Sequence, residues 1–149
     1  MMYMVEIEKL TRKYNGHTAV DEISLTIAKG ELFGLLGPNG AGKSTTISVI
    51  STLLKPMAGR VRVGGYDTNG QPAKVKKLIG LVPQDIALYP MLTARENLLF
   101  FGRMYGLRGG ELRLRVGEVL ETVGLTDRAG EKVATFSGGM KRRINIVWV

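Results

Sequence analysis

Residues 37–45 read Gly-Pro-Asn-Gly-Ala-Gly-Lys-Ser-Thr, and this stretch decides the fold. It matches the pattern G-x-x-x-x-G-K-[ST] in full. An apolar run at residues 31–36 precedes it, and a helical pattern at residues 44–54 follows it. The glycines let the backbone curl so that successive N–H groups point at one anion, and the helix adds its positive N-terminal end. The sequence therefore predicts a strand, a loop and a helix that together bind a polyphosphate.

The side chains of this loop have separate expected roles. Lys43 is expected to reach the outer phosphates as a point charge, and the Ser44 hydroxyl to bind Mg²⁺ beside phosphate oxygens and water. An incidental glycine-rich turn is the alternative, and the complete motif with its flanks argues against it. The predicted nucleotide-binding residues of the loop are Gly37, Pro38, Asn39, Gly40, Ala41, Gly42, Lys43, Ser44 and Thr45.

Alternating patterns along the first half of the chain predict an α/β protein. Ile23, Leu25 and Ile27 alternate with polar residues, as in a half-buried strand. The helix after the loop is expected to stop before Pro56. Strands are predicted at residues 5–10, 23–27, 31–36, 60–63 and 79–82, and a short basic helix at residues 73–78.

The second half of the chain changes to a helical period. Thr93 and Glu96 fit a capping box, and Gly106 is a plausible end for the helix that they begin. A second helix is predicted at residues 111–123, ended by Gly124, and a third begins at Ser137. This half is expected to be a helical subdomain inserted after residue 84.

Composition is typical of a globular chain that does not span a membrane. The chain has 149 residues, 44% of them hydrophobic, with no Cys and no apolar run of spanning length. The net charge of +8 invites a nucleic-acid interpretation. The basic residues are spread over several segments without interleaved aromatic residues, so no nucleic-acid partner is expected. The N-terminal residues do not form a secretory signal.

Three segments together resemble one family. LLGPNGAGKST, LVPQD around Gln84 and FSGGMKRR around Ser137 occur in the order and approximate spacing of the ATP-binding subunits of ABC transporters. The resemblance covers the whole chain and is nearest to the subfamily that serves drug or polysaccharide exporters. It implies one ATP-binding domain over residues 1–149, with a P-loop NTPase core and an N-terminal antiparallel β-subdomain over about residues 1–88. The helical subdomain and signature helix would occupy about residues 89–149.

The resemblance assigns roles outside the loop. Gln84 would position the attacking water or Mg²⁺ and lie where a transmembrane partner docks, and a side-chain amide suits both contacts. Tyr14 would stack on adenine, with Val20 in the same pocket, whereas His17 receives no role. An ordinary surface glutamine, an ordinary helix cap and a core tyrosine are the alternatives. The residues expected to contact the ATP of a second subunit are Ser137, Gly138, Gly139 and Met140.

The carboxylates that the family uses for hydrolysis follow its signature helix, and the sequence ends at Val149 without an apolar strand ending in Asp-Glu. The chain is therefore expected to be truncated, incomplete at its C-terminal end, and in doubt as an autonomous ATPase. The resemblance implies an ATPase subunit of an exporter that binds ATP and Mg²⁺. It would form a head-to-tail dimer with a second subunit and associate with a transmembrane permease at the cytoplasmic face of the membrane. Alternatives are a soluble ATPase acting on ribosomes or nucleic acid, and a nucleotide-binding fragment without turnover.

Overall fold

A computed structural model describes residues 3–147, without the side chain of Val147. The chain divides into two compact units, Met1–Gly80 and Leu81–Val149. The first unit contains a sheet and the loop at residues 37–45, and the second is helical. No helix among residues 3–147 is long and apolar enough to cross a membrane.

The first unit is built on a four-stranded antiparallel sheet in the order β2-β1-β3-β4. One core lies between this sheet and helix α1, because apolar side chains of β1, β2 and β3 meet Val49 of α1 there. Each such side chain contributes about 1.5–3 kcal/mol when buried. The elements are β1 (Tyr3–Tyr14), β2 (His17–Ala28), α1 (Lys43–Ile50), β3 (Ala58–Val63), β4 (Tyr66–Asp67) and α2 (Pro72–Val75).

Two predicted strands are wrong. Residues 31–36 and 79–82 form no ladder with any strand among residues 3–147, and both are irregular. Leu32 and Leu36 are almost fully exposed, at 101% and 91% of their reference areas. An apolar run becomes a strand only when a partner strand pairs with its backbone, and the described part of the chain places no such partner beside these two segments. The strand predictions at residues 5–10, 23–27 and 60–63 are confirmed within β1, β2 and β3.

Helix α1 ends four residues earlier than predicted. Its C-terminal turn is closed by a Schellman motif, in which the Leu53 N–H donates to the Ser48 carbonyl at 2.9 Å and the Thr52 N–H to the Val49 carbonyl at 3.1 Å. Thr52 takes the left-handed position of this motif, with φ of 63°, and its buried hydroxyl has no hydrogen-bond partner among residues 3–147. A β-branched residue is unfavourable there, which explains why the sequence pattern missed this helix end.

The second unit is a helical cluster around one apolar core. Its helices are α3 (Ala94–Met104), α4 (Gly109–Thr122) and α5 (Gly138–Val147), with 3₁₀ turns at Thr126–Arg128 and Val133–Thr135. The capping box is confirmed, because the Thr93 hydroxyl accepts from the Glu96 N–H at 3.1 Å and the Glu96 carboxylate accepts from the Thr93 N–H at 2.8 Å. The core contains Ala94, Leu98, Leu112, Val116, Leu120, Val123, Leu125, Ala129, Val133, Phe136 and Ile144.

Candidate functional site: a phosphate loop, a glutamine segment and a capped helix

The glycine-rich loop owes its curl to two glycines with left-handed backbone. Gly40 has φ of 85° and Gly42 has φ of 78°, a region that costs other residues about 1–2 kcal/mol. Between them the Ala41 N–H donates to the Pro38 carbonyl at 3.2 Å, which closes a tight turn. Gly42 is the N-cap of α1, so the turn leads directly into the helix. The backbone of the loop therefore lies next to the first N–H groups of α1.

Gly42 also lies against strand β2. A Cβ atom added there would overlap the Ala19 carbonyl oxygen and lie 2.9 Å from Cγ2 of Val20. Val20 is buried in the core of the first unit and pairs with Arg12 of β1, so this strand has little room to move. Gly42, the second glycine of the motif, thus fixes how closely the loop approaches the sheet, in addition to supplying its positive φ.

Lys43 lies over the loop that precedes it. Its ammonium donates to the carbonyl oxygens of Gly37 at 2.7 Å and Pro38 at 2.6 Å. An ammonium has three N–H donors, so one donor remains for a phosphate oxygen. Two carbonyls therefore hold the charge at the mouth of the loop before any anion arrives, which reduces the rotamer entropy lost on binding.

Three consecutive hydroxyls begin α1 and they face different surroundings. Thr46 is buried, and its hydroxyl donates back to the Gly42 carbonyl at 3.0 Å. The hydroxyls of Ser44 and Thr45 have no hydrogen-bond partner within the described chain, and Ser44 is exposed. The N–H groups at the start of a helix have no intrahelical acceptors and carry partial positive charge. The start of α1 thus offers Ser44, Thr45 and the backbone to an anion.

Tyr14 ends β1 and is 40% exposed. The guanidinium of Arg12 lies 5.1 Å from its ring centroid, so a cation covers part of one ring face. Val20 lines a cavity of about 350 Å³ that also touches Ala41 and Lys43, and Tyr14 is not among the lining residues. His17, at the start of β2, is exposed and takes part in none of these contacts.

Gln84 lies in an irregular, exposed segment of the second unit that is held by side chains from helix α5. The Arg142 guanidinium donates to the carbonyl of Gln84 at 2.7 Å and to that of Pro83 at 3.2 Å. Asn145, which is fully buried, accepts from the Ala87 N–H at 3.1 Å. The sequence patterns did not identify Arg142 or Asn145. A polar Asn among the apolar residues of a helix was the one available signal.

The far end of the same segment is held by helix α3. The fully buried Asn97 side chain accepts from the Tyr89 N–H at 2.8 Å. Its amide donates to the carbonyls of Tyr89 and Thr93, both at 3.0 Å. Hydrogen bonds of this kind substitute for the ladder or helix bonds that irregular backbone lacks. The segment from Gln84 to Thr93 is therefore ordered by side chains from two helices.

The signature residues form a capped and exposed helix start. The Ser137 hydroxyl accepts from the Met140 N–H at 3.3 Å, and the Ser137 carbonyl accepts from the Lys141 N–H at 3.0 Å. Ser137, Gly138 and Gly139 are exposed, whereas Met140 is half-buried and packs against the helical core. The N-cap predicted at Ser137 is confirmed, and the first N–H groups of α5 are presented at the surface.

Neighbouring groups lower the pKa values of two glutamates in the second unit. Hydrogen bonds from the backbone and side chain of Thr93 lower the pKa of Glu96, which also favours its charged form at the N-terminus of α3. The Arg128 guanidinium, 2.6 Å from the Glu131 carboxylate, lowers the pKa of Glu131. Glu96 lies in the first turn of α3, and Arg128 and Glu131 lie in the connection between α4 and α5.

The predicted site residues fall into two groups. Residues 37–45 and Tyr14 belong to the first unit, and Gln84 and Ser137–Met140 to the second. Within residues 3–147 no three His, Cys, Asp or Glu side chains cluster as a metal site. The Ser44 hydroxyl suits Mg²⁺ that arrives with phosphate oxygens and water, because this ion keeps most of its water and needs few protein ligands.

Comparison with known proteins assigns the chain to a family. The sequence profile of the ABC transporter family matches residues 20–149. The chain belongs to this family. Its predicted fold class, an α/β P-loop NTPase core with a β-subdomain and a helical subdomain, agrees with solved structures of ABC ATPase subunits. ABC ATPase domains bind ATP, which is the ligand expected for the loop.

Curated relatives of this ABC chain are ATP-binding subunits. It is 59% identical over 143 residues to the linearmycin resistance ATP-binding protein LnrL of Bacillus subtilis, covering 96% of this chain and 46% of the relative. It is 42% identical over 144 residues to the daunorubicin resistance ATP-binding protein DrrA2 of Streptomyces coeruleorubidus, covering 97% and 45%. The chain thus spans about half the length of the curated relatives it matches.

Solved structures give the same family assignment. One, described as the structure of an ATP-binding subunit of an ABC transporter, has a TM-score of 0.82 and 32% identity, covering 98% of this chain and 61% of that one. A second is cbiO1 from Clostridium perfringens, part of the ABC transporter complex cbiONQ. It has a TM-score of 0.85 and 28% identity, covering 98% and 60%.

Proposed function

We propose that the chain is the ATP-binding part of an ABC-type exporter subunit that couples ATP binding and hydrolysis to transport. The observation that carries this proposal is the loop at residues 37–45, with two left-handed glycines, an ammonium held by two loop carbonyls and unpaired hydroxyls at the start of α1. The relatives LnrL and DrrA2 are named for drug resistance, and a 41% identical relative from Paraburkholderia xenovorans is named for Nod factor export. These names favour transport over work on ribosomes or nucleic acid.

In the proposed site, different groups of the chain bind different parts of the nucleotide. The N–H groups of the loop and of the start of α1 hold the phosphates, and the remaining donor of Lys43 reaches the outer phosphate oxygens. Ser44 and Gln84 would hold Mg²⁺, which supplies charge neutralisation at the phosphates. Gln84 would also orient water, and Tyr14 would supply a flat surface for adenine. Hydrolysis further requires a carboxylate, and residues 37–45 contain none.

ATP binding by the purified chain tests the proposal most directly. Lys43→Ala removes the charge at the loop mouth and should weaken ATP binding at least tenfold in isothermal titration, because charge-assisted contacts to phosphate exceed about 1.4 kcal/mol. Lys29→Ala removes an equal charge from an exposed position of the same unit and should leave the affinity unchanged. Equal affinities for the parent chain and Lys43→Ala would refute phosphate binding by the loop.

We further propose that two such subunits associate head to tail, with Ser137, Gly138, Gly139 and Met140 of one on the ATP of the other. The exposed N–H groups at the start of α5 suit the γ-phosphate. Lys43→Ala and Ser137→Phe should each prevent ATP-dependent dimerisation in sedimentation experiments. A mixture of the two variants should recover about a quarter to a half of the dimer, since one composite site survives in the mixed pair. No recovery would contradict the head-to-tail arrangement.

A groove in the helical unit is the proposed surface for a transmembrane permease at the cytoplasmic face of the membrane. It has a volume of about 290 Å³ and lies between α3 and α4, over Leu99, Leu112 and Val116. Four arginines border it, and their guanidinium groups have no acidic partner within the described residues. A cationic rim around an apolar floor suits an acidic, amphipathic loop of the permease. The four are Arg95, Arg103, Arg108 and Arg113.

Charge reversal tests this surface. Arg95→Glu with Arg103→Glu should reduce co-purification of the permease at least fivefold and leave ATP affinity unchanged, because the loop lies in the other unit. Arg115, on α4, pairs with Glu118 and is absent from the groove, so Arg115→Glu is the matched control. Equal co-purification of both variants would contradict docking at this groove.

A further inference from the structure

We propose that Arg142 and Asn145 of the signature helix are positioning residues for Gln84. The two lie three residues apart, on one face of α5, and both contact the backbone of the segment that carries Gln84. The Gln84 side chain itself is exposed, so its direction depends on how its backbone is held. This inference rests on the proposed role of Gln84 at the nucleotide.

Arg142 fixes the backbone on the N-terminal side of the segment. One nitrogen, Nη1, donates to two consecutive carbonyl oxygens, those of Pro83 and Gln84, at 3.2 and 2.7 Å. Hydrogen bonds from a charged donor are stronger than neutral ones, and neither carbonyl lies in a helix or strand. A guanidinium on two adjacent carbonyls restrains the peptide unit between them, which sets the direction of the Gln84 Cα–Cβ bond.

Asn145 fixes the segment three residues further on. It is fully buried in a helix that otherwise presents apolar side chains to the core, and its Oδ1 atom accepts the Ala87 N–H at 3.1 Å. Its Nδ2 atom has no hydrogen-bond partner among residues 3–147. A buried amide with an unsatisfied donor costs about 1–3 kcal/mol, so an apolar residue would suit the core better. The contact with Ala87 is the one interaction that an apolar residue could not make.

These contacts link Gln84 directly to the helix that begins after Ser137, 53 positions later in the sequence. Ser137, Gly138 and Gly139 form the exposed start of α5, and Arg142 and Asn145 follow within the same helix. A displacement of this helix start therefore moves the anchors of the Gln84 backbone. The signature residues and Gln84 behave as one rigid piece within the helical unit.

Amide hydrogen exchange, measured by NMR on the isotope-labelled whole chain, tests the restraint without nucleotide. Asn145→Leu removes the acceptor of the Ala87 N–H and should raise its exchange about tenfold, the effect of about one hydrogen bond. Arg142→Ala removes the donor to the Pro83 and Gln84 carbonyls and should shift the carbonyl carbon resonances of both residues, and Arg142→Lys should restore part of the shift. The Tyr89 N–H, held by Asn97, is the internal reference and should not change. Arg115→Ala is the control, since Arg115 is an exposed arginine of the same unit. Unchanged Ala87 exchange in Asn145→Leu, or unchanged carbonyl resonances in Arg142→Ala, would overturn the proposal.

ATP titration with and without Mg²⁺ tests the positioning role. Gln84→Ala keeps the backbone carbonyl that Arg142 contacts and should reduce the Mg²⁺-dependent gain in affinity about tenfold. Arg142→Ala should cause a similar loss, and the double variant no further loss. If Gln84→Ala removes the gain and Arg142→Ala does not, the positioning role is wrong and the role of Gln84 stands. If Gln84→Ala has no effect, the role of Gln84 is wrong, and the NMR measurements alone decide whether Arg142 and Asn145 fix the segment.

Discussion

Replacing Gly42 with alanine, and Gly40 with alanine for comparison, separates two reasons why the loop needs glycine. Both residues have similar left-handed φ angles, 78° and 85°. A Cβ atom at Gly40 has no heavy atom within 4 Å, whereas one at Gly42 overlaps the Ala19 carbonyl oxygen and lies 2.9 Å from Val20 Cγ2. The two substitutions therefore share a conformational cost and differ in a steric one.

The magnitudes follow from these contacts. A left-handed non-glycine residue costs about 1–2 kcal/mol, which is the whole effect expected for Gly40→Ala. Overlap with packed atoms adds about 1–3 kcal/mol for Gly42→Ala. The strand cannot shift easily, because Val20 is buried and both neighbours of Ala19, Thr18 and Val20, pair with β1. The free energy of unfolding should thus fall by about 2–5 kcal/mol in Gly42→Ala, provided that the loop stays in place.

The loop can relieve the overlap by moving away from β2, and this outcome is also measurable. Its N–H groups would then miss the phosphates, and ATP would bind at least tenfold more weakly in isothermal titration. Urea unfolding followed by circular dichroism gives the stability of both variants. Either a larger loss of stability or a larger loss of affinity in Gly42→Ala supports the argument. Equal stability and equal ATP affinity for the two variants would refute the close approach to β2.

Three further outcomes are expected. Thr52→Gly removes a β-branched side chain from the left-handed position at the end of α1, together with a buried hydroxyl that has no partner among residues 3–147. The melting temperature should therefore rise by about 2–4 °C. An unchanged or lower value would contradict backbone strain at Thr52. Tyr14→Ala should weaken ATP binding about fivefold and Tyr14→Trp should preserve it, whereas equal losses would exclude stacking. Thr93→Ala should reduce the free energy of unfolding by about 1 kcal/mol through the lost cap, as urea titration can measure. Since Thr93 lowers the pKa of Glu96, that carboxylate stabilises the fold above its ordinary pKa of 4.5, and the contribution disappears as the pH falls through the lowered value. The difference in the free energy of unfolding between the parent chain and Glu96→Gln should therefore narrow in acid, and a constant difference would contradict this linkage.

Local sequence was sufficient where hydrogen bonds join near neighbours. The capping box joins residues three positions apart, and the glycine-rich loop is closed by a contact from Ala41 to Pro38. The alternation at residues 23–27 likewise reports the two faces of β2. These features were predictable because all the atoms that take part belong to residues close together in the sequence.

Sequence failed where the partner lies far along the chain or has an unusual residue type. The apolar run at residues 31–36 predicted a strand, yet a strand also requires a neighbour that the run itself cannot specify. The end of α1 was missed because Thr52 stands where glycine or asparagine normally marks a Schellman motif. The contacts of Arg142 and Asn145 span 58 or 59 positions, beyond any local pattern.

Substitutions can change the proposed site from inside the motifs or from outside them. The groups that we propose to face the phosphates are mainly backbone atoms of residues 37–45, so substitutions that disturb them fall within the motif itself. The Gln84 segment has no secondary structure, and its order depends on Asn97 from α3 together with Arg142 and Asn145 from α5. Asn97 and Asn145 lie outside the three motif segments, so a substitution at either can change the proposed direction of Gln84 while every motif residue remains intact. A relative that shares all three segments but differs at position 145 should hold its glutamine by other contacts, and should respond differently when it is replaced.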